Sequence, residues 1–295
     1  MSYPLIPKLT GRQLTVDAAL NAPTLITQRI AALTSDQLVI DKFLSATGQK
    51  VEGGALLYTQ ASAENFYTTR DVEERSPGAE YPVVQGERPA PKLAEAEDWG
   101  GKFWVTDEAR ERNNVSEFDD NVTQLANTIV RKINQRVIDA VEAAITGNGV
   151  VPGHDWGAVI TTGVPEELTP NNERPASDWA SAQLAADMDE LGVTYDLLVL
   201  HPQEHRALKV AYGEDLAAVL ASNGLSVFTS PRLAPGTGYA VEKGKGGIMA
   251  YEKPLNTTTW RDEARRITWV QSFAVPAVAI TNPPAIKKLT GLGGV

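Results

Sequence analysis

The chain of 295 residues contains no cysteine, which excludes disulfide staples, thiolate metal sites and cysteine nucleophiles together. Histidine is scarce, with three copies, so imidazole chemistry has few places to start. Long apolar runs are missing as well. The most apolar tract, residues 267–286, is interrupted by Gln271, Ser272, Pro276, Asn282 and two further prolines, and could not span lipid as an uninterrupted helix. Positive charge is in deficit: 27 Lys and Arg face 37 Asp and Glu, a net charge of -10 that disfavours nonspecific adhesion to nucleic acid. The opening residues, Met1 to Lys8, carry neither a basic region nor an apolar one, so no secretion signal is expected. What is present is ordinary for a globular protein, with 42% hydrophobic and 22% charged residues and enough length for one large or two modest domains.

The strongest periodic signal lies between Ser116 and Gly147. Phe118, Val122, Leu125, Ile129, Ile133, Val137, Ala140 and Ala144 recur at steps of three or four, which places one apolar stripe on a single long helix. Ser116 is the expected N-cap, Glu117, Asp119 and Asp120 suit the positive end of the helix dipole, and Gly147 suits the left-handed position after the last turn. The steps drift off a strict heptad, which argues for a strut crossing the subunit over a coiled coil. Phe118, Val122, Leu125, Ile129, Ile133 and Val137 are its expected core.

Ahead of this helix, residues 1–15 read as an extended arm, followed by two short helices over 24–33 and 35–45. From Arg70 to Gly101 prolines, glycines and acids mix with scattered Tyr81, Val83, Val84 and Leu93. So few core-type residues over about thirty positions cannot bury one another. The strand-like stretches 55–69 and 103–106 bracket this excursion as the two legs of a long hairpin, hinged at Gly100-Gly101. After the long helix comes a polar connection with a short strand near 158–161. An α/β block follows: a helix from Ser177 to Leu191 burying Ala180, Leu184, Met188 and Leu191, a doubly covered strand at 195–200, a helix started by Pro202, another over 214–222, and a strand at 226–229. Strands at 239–242 and 247–251 flank a hairpin turn at Lys243–Gly246, and 265–273 and 277–281 form two closing strands.

Candidate chemistry is thin. His201-Pro202-Gln203-Glu204-His205 matches the letters of a zinc-peptidase pattern, but Pro202 starts a helix and leaves His201 outside it as a capping residue. Gly236-Thr237-Gly238 and the glycines at 244, 246 and 247 lack the spacing of phosphate-cradling loops and read as turns. His154 stands beside Asp155 without a nucleophile. No catalytic residue, metal site or cofactor is expected.

The order of these features resembles the major capsid protein of tailed double-stranded DNA phages, an α+β fold of the Hong Kong 97-like type. The likeness is carried by Arg70 to Pro82 (RDVEERSPGAEYP), Asp196 to Leu208 (DLLVLHPQEHRAL), Ser230-Pro231-Arg232 and Arg265 to Ile280 (RRITWVQSFAVPAVAI). It implies an N-terminal arm with short helices over 1–52, an E-loop over 53–106 that lies on an adjacent subunit, a peripheral domain over 107–174 and 262–295 with the spine helix at 116–147, and an axial domain over 175–261. It further implies a homo-oligomer, with hexamers and pentamers in an icosahedral virion shell that encloses double-stranded DNA without sequence-specific binding, assembled in the host cytoplasm and not at a membrane. Expected partners are a portal, a decoration protein and a scaffolding protein; because the chain begins at the arm, that scaffold is either separate or absent. Expected contacts between subunits are Tyr3, Leu5 and Ile6 in the arm and Arg70, Glu73, Glu74, Arg75, Tyr81, Val83, Val84, Arg88 and Leu93 in the excursion. Covalent crosslinking, for which Lys92 is the one lysine between Arg70 and Gly101, is not expected. Two alternatives stand beside this reading: an encapsulin-type compartment shell, and a zinc-dependent hydrolase centred on His201 and His205.

Overall fold

The computed structural model describes residues 15–34, 38–62, 67–68, 70–86 and 89–293. Helices α1 (Val16–Asn21), α2 (Pro23–Thr34) and the one-turn α3 (Ile40–Phe43) lead into β1 (Leu44–Lys50). Strands β2 (Ala55–Thr59) and β3 (Pro91–Glu95) are followed by β4 (Trp99–Thr106), α4 (Asp107–Glu111) and the long α5 (Val115–Ala144). The middle of the chain is β5 (Val150–Pro152), α6 (Pro175–Met188), β6 (Leu197–Leu200), α7 (Pro202–Tyr212), α8 (Leu216–Ser222) and β7 (Ser226–Thr229). Strands β8 (Thr237–Val241), β9 (Gly247–Asp262), β10 (Ile267–Ala279) and β11 (Ile286–Thr290) close it.

Two sheets organise the molecule, one in the order β1-β9-β10-β4 and the other β5-β11-β8-β6-β7. The second is covered on both sides. Along β6, Leu197 and Val199 join the core against α5, while Leu198 and Leu200 join the core against α6 and α7. That alternation is why the run 197–200 is apolar at every position and wholly buried. The first sheet is covered on one side by helices, where Val105 and Val270 pack with α1, α2 and the first half of α5, and on the other only at one end, where Leu56 of β2 packs on Ala250 and Ala277. Across it, the hydroxyls of Thr257 and Ser272, register partners on β9 and β10, bond to each other at 2.8 Å inside the protein.

Helix α5 joins the two. Phe118, Val122 and Ala126 belong to the core beneath the four-stranded sheet, and Ile129, Ile133, Val137 and Val141 to the core beneath the five-stranded one. The expected strut is therefore present, with its ends shifted. Asn114 caps it in place of Ser116, accepting the Glu117 N–H, and Ala144 ends it because Ile145 turns extended, leaving Gly147 in a separate short turn. Leu125 is only partly buried; the stripe runs instead through Ala126, Val130 and Ile138, where the helix faces successive sheets.

Several pairings differ from expectation. Residues 44–50 form a strand and not the end of a helix, because they lie parallel on the start of β9, Leu44 opposite Gly247. Residues 35–37 of that expected helix lie outside the described residues. Strand β2 pairs with β3, Leu57 opposite Leu93, and residues 99–106 belong to the main sheet against β10. Gly100 is accordingly no hinge: a Cβ there would stand 2.6 Å from Phe273 Cβ, so the glycine permits close strand packing. Residues 158–161 form no strand. Strands β8 and β9 are not a hairpin, since Lys243–Gly246 carries the chain from one sheet to the other. The two closing strands are one, β10, with a bulge next to Pro276, which has no N–H to offer the ladder. Helix α6 buries Trp179, Ala182 and Ala186 in place of the expected face, leaving Leu184 and Met188 exposed.

Candidate assembly surfaces

The β2–β3 ribbon has two unlike faces. Leu56 packs against Val51, Ala250 and Ala277, and its register partner Ala94 is buried. Leu57 and Leu93 oppose each other on the other face, 65% and 68% exposed. A cross-strand leucine pair turned to solvent is apolar area without a partner in the subunit.

Beyond the ribbon, residues 70–85 form no helix or strand. A turn with Gly78 at positive φ closes Ser76–Ala79, and Arg75 donates to the Ala79 carbonyl while lying 5.1 Å over the Tyr81 ring. Arg70 pairs with Glu73 at 2.6 Å. Tyr81 and Val83 are 70% and 79% exposed, and Val72, Glu74 and Val84 face solvent with them. The base of the excursion is tied down at Tyr67, whose hydroxyl donates to the Glu190 carbonyl at 3.2 Å just beyond α6. Of the expected contact residues, Arg70, Glu73, Glu74, Arg75, Tyr81, Val83, Val84 and Leu93 are each exposed; Tyr3, Leu5, Ile6 and Arg88 lie outside the described residues.

The face of the four-stranded sheet turned away from α1, α2 and α5 carries, beyond the part that the β2–β3 ribbon covers, a row of aromatic rings. Trp269 on β10 is the register partner of both Trp104 on β4 and Trp260 on β9. Its ring meets Trp104 edge-on at 5.5 Å and stacks on Trp260 at 6.2 Å. Lys102 Nζ lies 4.6 Å from the Trp269 ring centre. Each tryptophan is visible in the sequence as a strand residue; their alignment needs the register of three strands.

Two of the three histidines, His154 and His201, are engaged structurally. His201 accepts the Gln203 N–H as N-cap of α7, the role its position before Pro202 predicts. Glu204 is buried and accepts the Gly236 N–H at 2.6 Å, so Gly236 serves a side chain of its own subunit. His205 is half-buried, not exposed as a surface helix position would be, and desolvation, then Lys209, lowers its pKa. His154 pairs with Asp178 at 2.7 Å and not with its neighbour Asp155, which caps the turn at Gly157. The second Asp178 oxygen accepts the His154 N–H at 3.0 Å and the Trp156 indole N–H at 2.7 Å, so this buried carboxylate pins the connection to α6. Among the described residues no three acidic or histidine side chains converge as a metal cage, and no helix is long and apolar enough to cross a membrane.

A comparison with curated proteins gives no sequence match. Solved structures share the architecture at low identity. A virus-like particle from Pyrococcus furiosus superposes with a TM-score of 0.58 at 13% identity, covering 91% of this chain and 99% of that one. A structure from Mycobacterium phage Bobi gives 0.58 at 12%, covering 88% and 91%, and the capsid of Myoviridae phage XM1 gives 0.57 at 12%, covering 86% and 91%. These likenesses, with the long α5 and the two sheets it joins, define the Hong Kong 97-like fold of phage capsid shells. A family model described as phage capsid protein matches residues 89–289. The chain belongs to the phage capsid protein family, and is a structural, shell-forming protein of the virion.

Proposed function

We propose that this chain is the major capsid subunit of a tailed phage and works by self-association alone, without a catalytic step. The observation that carries this reading is the apolar surface left on extended chain: Leu57 and Leu93 on the ribbon and Tyr81 and Val83 beyond it are exposed in the single subunit. Such residues gain burial only on a neighbour, so folding of the excursion and assembly are one equilibrium. In this proposal residues 53–106 up to the start of β4 are the E-loop lying on an adjacent subunit, 1–52 an arm with short helices, 107–174 with 262–295 the peripheral domain, whose sheet takes in β4 and β9, and the rest of 175–261 the axial domain of hexamers and pentamers. The expected arm and excursion residues make the contacts between subunits. Double-stranded DNA is enclosed without base-specific contact. A portal, a decoration protein and, where one is used, a separate scaffolding protein complete the particle, and assembly takes place in the host cytoplasm. The match to phage capsid proteins favours a phage head over a cellular compartment.

Negative-stain microscopy of the expressed chain, alone and with its scaffold, tests this. Shells or capsomers are the expected result; a stable monomer under every condition overturns it. Co-purification of a cargo enzyme inside nucleic-acid-free shells would favour the compartment reading.

A further inference from the structure

Between the middle of α5 and the chain leaving β7 lies a cleft of about 550 Å³. The helix supplies Asn127 and Arg131 to one wall, and the end of β7 with the segment after it supplies Thr229, Ser230 and Arg232 to the other. Among the described residues no aspartate or glutamate lines it, although the chain carries 37 of them against 27 Lys and Arg. Neither Arg131 nor Arg232 has a carboxylate at ion-pair distance among the described residues. A third cation stands close by: Lys42 Nζ lies 5.0 Å from the ring centre of Phe228, which also lines the cleft, and it too has no carboxylate at ion-pair distance among the described residues.

Cations gathered about one cleft repel each other, and an anion held among them turns that repulsion into attraction. The lining also selects the kind of anion. A guanidinium carries N–H donors and no acceptor, and the Asn127 amide and the Thr229 and Ser230 hydroxyls add further donors. Ser230 is buried and its oxygen accepts the Arg232 N–H at 3.4 Å, which leaves its own O–H to donate. A carboxylate, with two oxygens in one plane, is satisfied by a single guanidinium fork. Two forks on opposite walls, with hydroxyl donors beside them, suit an oxyanion that presents acceptors in several directions, as phosphate does. The cleft has the size of a small-ligand site, so a phosphate ester fits it as well as the free ion.

We infer that this cleft is a phosphate-binding site in which Arg131 and Arg232 take one phosphate group from opposite walls, either a free phosphate or one phosphodiester of a nucleic-acid backbone. One such contact neutralises about one phosphate, so the affinity of the subunit for duplex DNA stays weak. The test is a calorimetric titration of inorganic phosphate into the purified full chain at low ionic strength. The expected result is saturable binding of about one ion per subunit, with a dissociation constant of about 1 mM or tighter. Arg131→Gln and Arg232→Gln, each checked for folding by circular dichroism, should weaken it about tenfold. Arg206→Gln, which removes the same charge from an exposed position on α7, should leave it unchanged, and acetate should not compete. No saturable heat overturns the inference, as do indifference to both cleft variants, an equal loss in Arg206→Gln, or acetate binding as well as phosphate. A short single-stranded oligodeoxynucleotide separates the two sources: displacement of the bound phosphate supports a backbone phosphodiester as the occupant, and failure to displace it supports the free ion. Shells that form while phosphate does not bind leave the capsid reading intact and refute this one; phosphate binding by a chain that forms no shells does the reverse.

Discussion

The side-chain oxygen of Asn134, on the buried stripe of α5, accepts the backbone N–H of Val39 at 3.0 Å. It fastens the segment entering β1 to the spine, inside a core of Val39, Ile40, Ile133 and Val137. Asn134→Leu removes the acceptor and strands a buried N–H, which costs about 1–3 kcal/mol. Urea denaturation of the subunit should show that loss with an unchanged m-value; an unchanged midpoint would mean that another acceptor takes the N–H.

Ile133 is 8% exposed in the same core. Ile133→Asp buries a carboxylate among apolar side chains, a change of several kcal/mol that is a large part of the stability of a domain. The variant should yield no soluble folded subunit by circular dichroism and gel filtration. Shells formed by Ile133→Asp would show that α5 does not carry the seam.

At Gly247, where β1 and β10 flank the start of β9, an added Cβ would stand 2.2 Å from the Ala279 carbonyl oxygen and 2.9 Å from Ile280 Cα. Backbone cannot yield there as a flexible side chain would. Gly247→Ala should lower thermal stability by more than a typical surface change of about 0.5 kcal/mol, whereas Gly48→Ala, with open space around it, should not.

Two carboxylates make the fold acid-sensitive. Asp107 takes both terminal nitrogens of Arg261, at 2.9 and 2.8 Å, and that guanidinium, more than the nearby Arg266, holds its pKa below the ordinary 3.8. Glu142 is held below 4.5, first by Lys288 at 2.9 Å and then by the Tyr239 hydroxyl at 3.0 Å. Both pKa values fall on folding, so the stability these groups add is fully present above the ordinary values and is lost as pH drops through the folded ones. Melting temperature should decline below about pH 4.5, and Asp107→Asn together with Glu142→Gln should flatten that decline.

Net charge predicts weak DNA binding. At -10, the free subunit should show little affinity for duplex DNA even at low salt, measured by fluorescence anisotropy. Micromolar or tighter binding there would contradict an inner wall that merely encloses DNA.

Local physics made part of this legible. The stripe of α5 was readable because one helix face repeats every three or four residues, and β6 because burial on both faces requires an unbroken apolar run. Pro202 and His201 marked the start of α7 by chemistry that acts within one turn. The face of α6 was not readable, since Ala180, Leu184 and Met188 keep the same helical spacing as Trp179, Ala182 and Ala186, and only the sheet beneath selects between them.

What the sequence by itself determined, then, is the spine helix, the doubly covered strand and an acidic, proline-broken excursion with too little core to bury itself. Tertiary structure alone decided which strands meet: β1 finds β9 some 200 residues on, β2 finds β3 across the excursion, and three tryptophans come into one row. Helical contacts are set within a few residues and leave a periodic trace, whereas strand pairing is set by the burial of distant chain and leaves none.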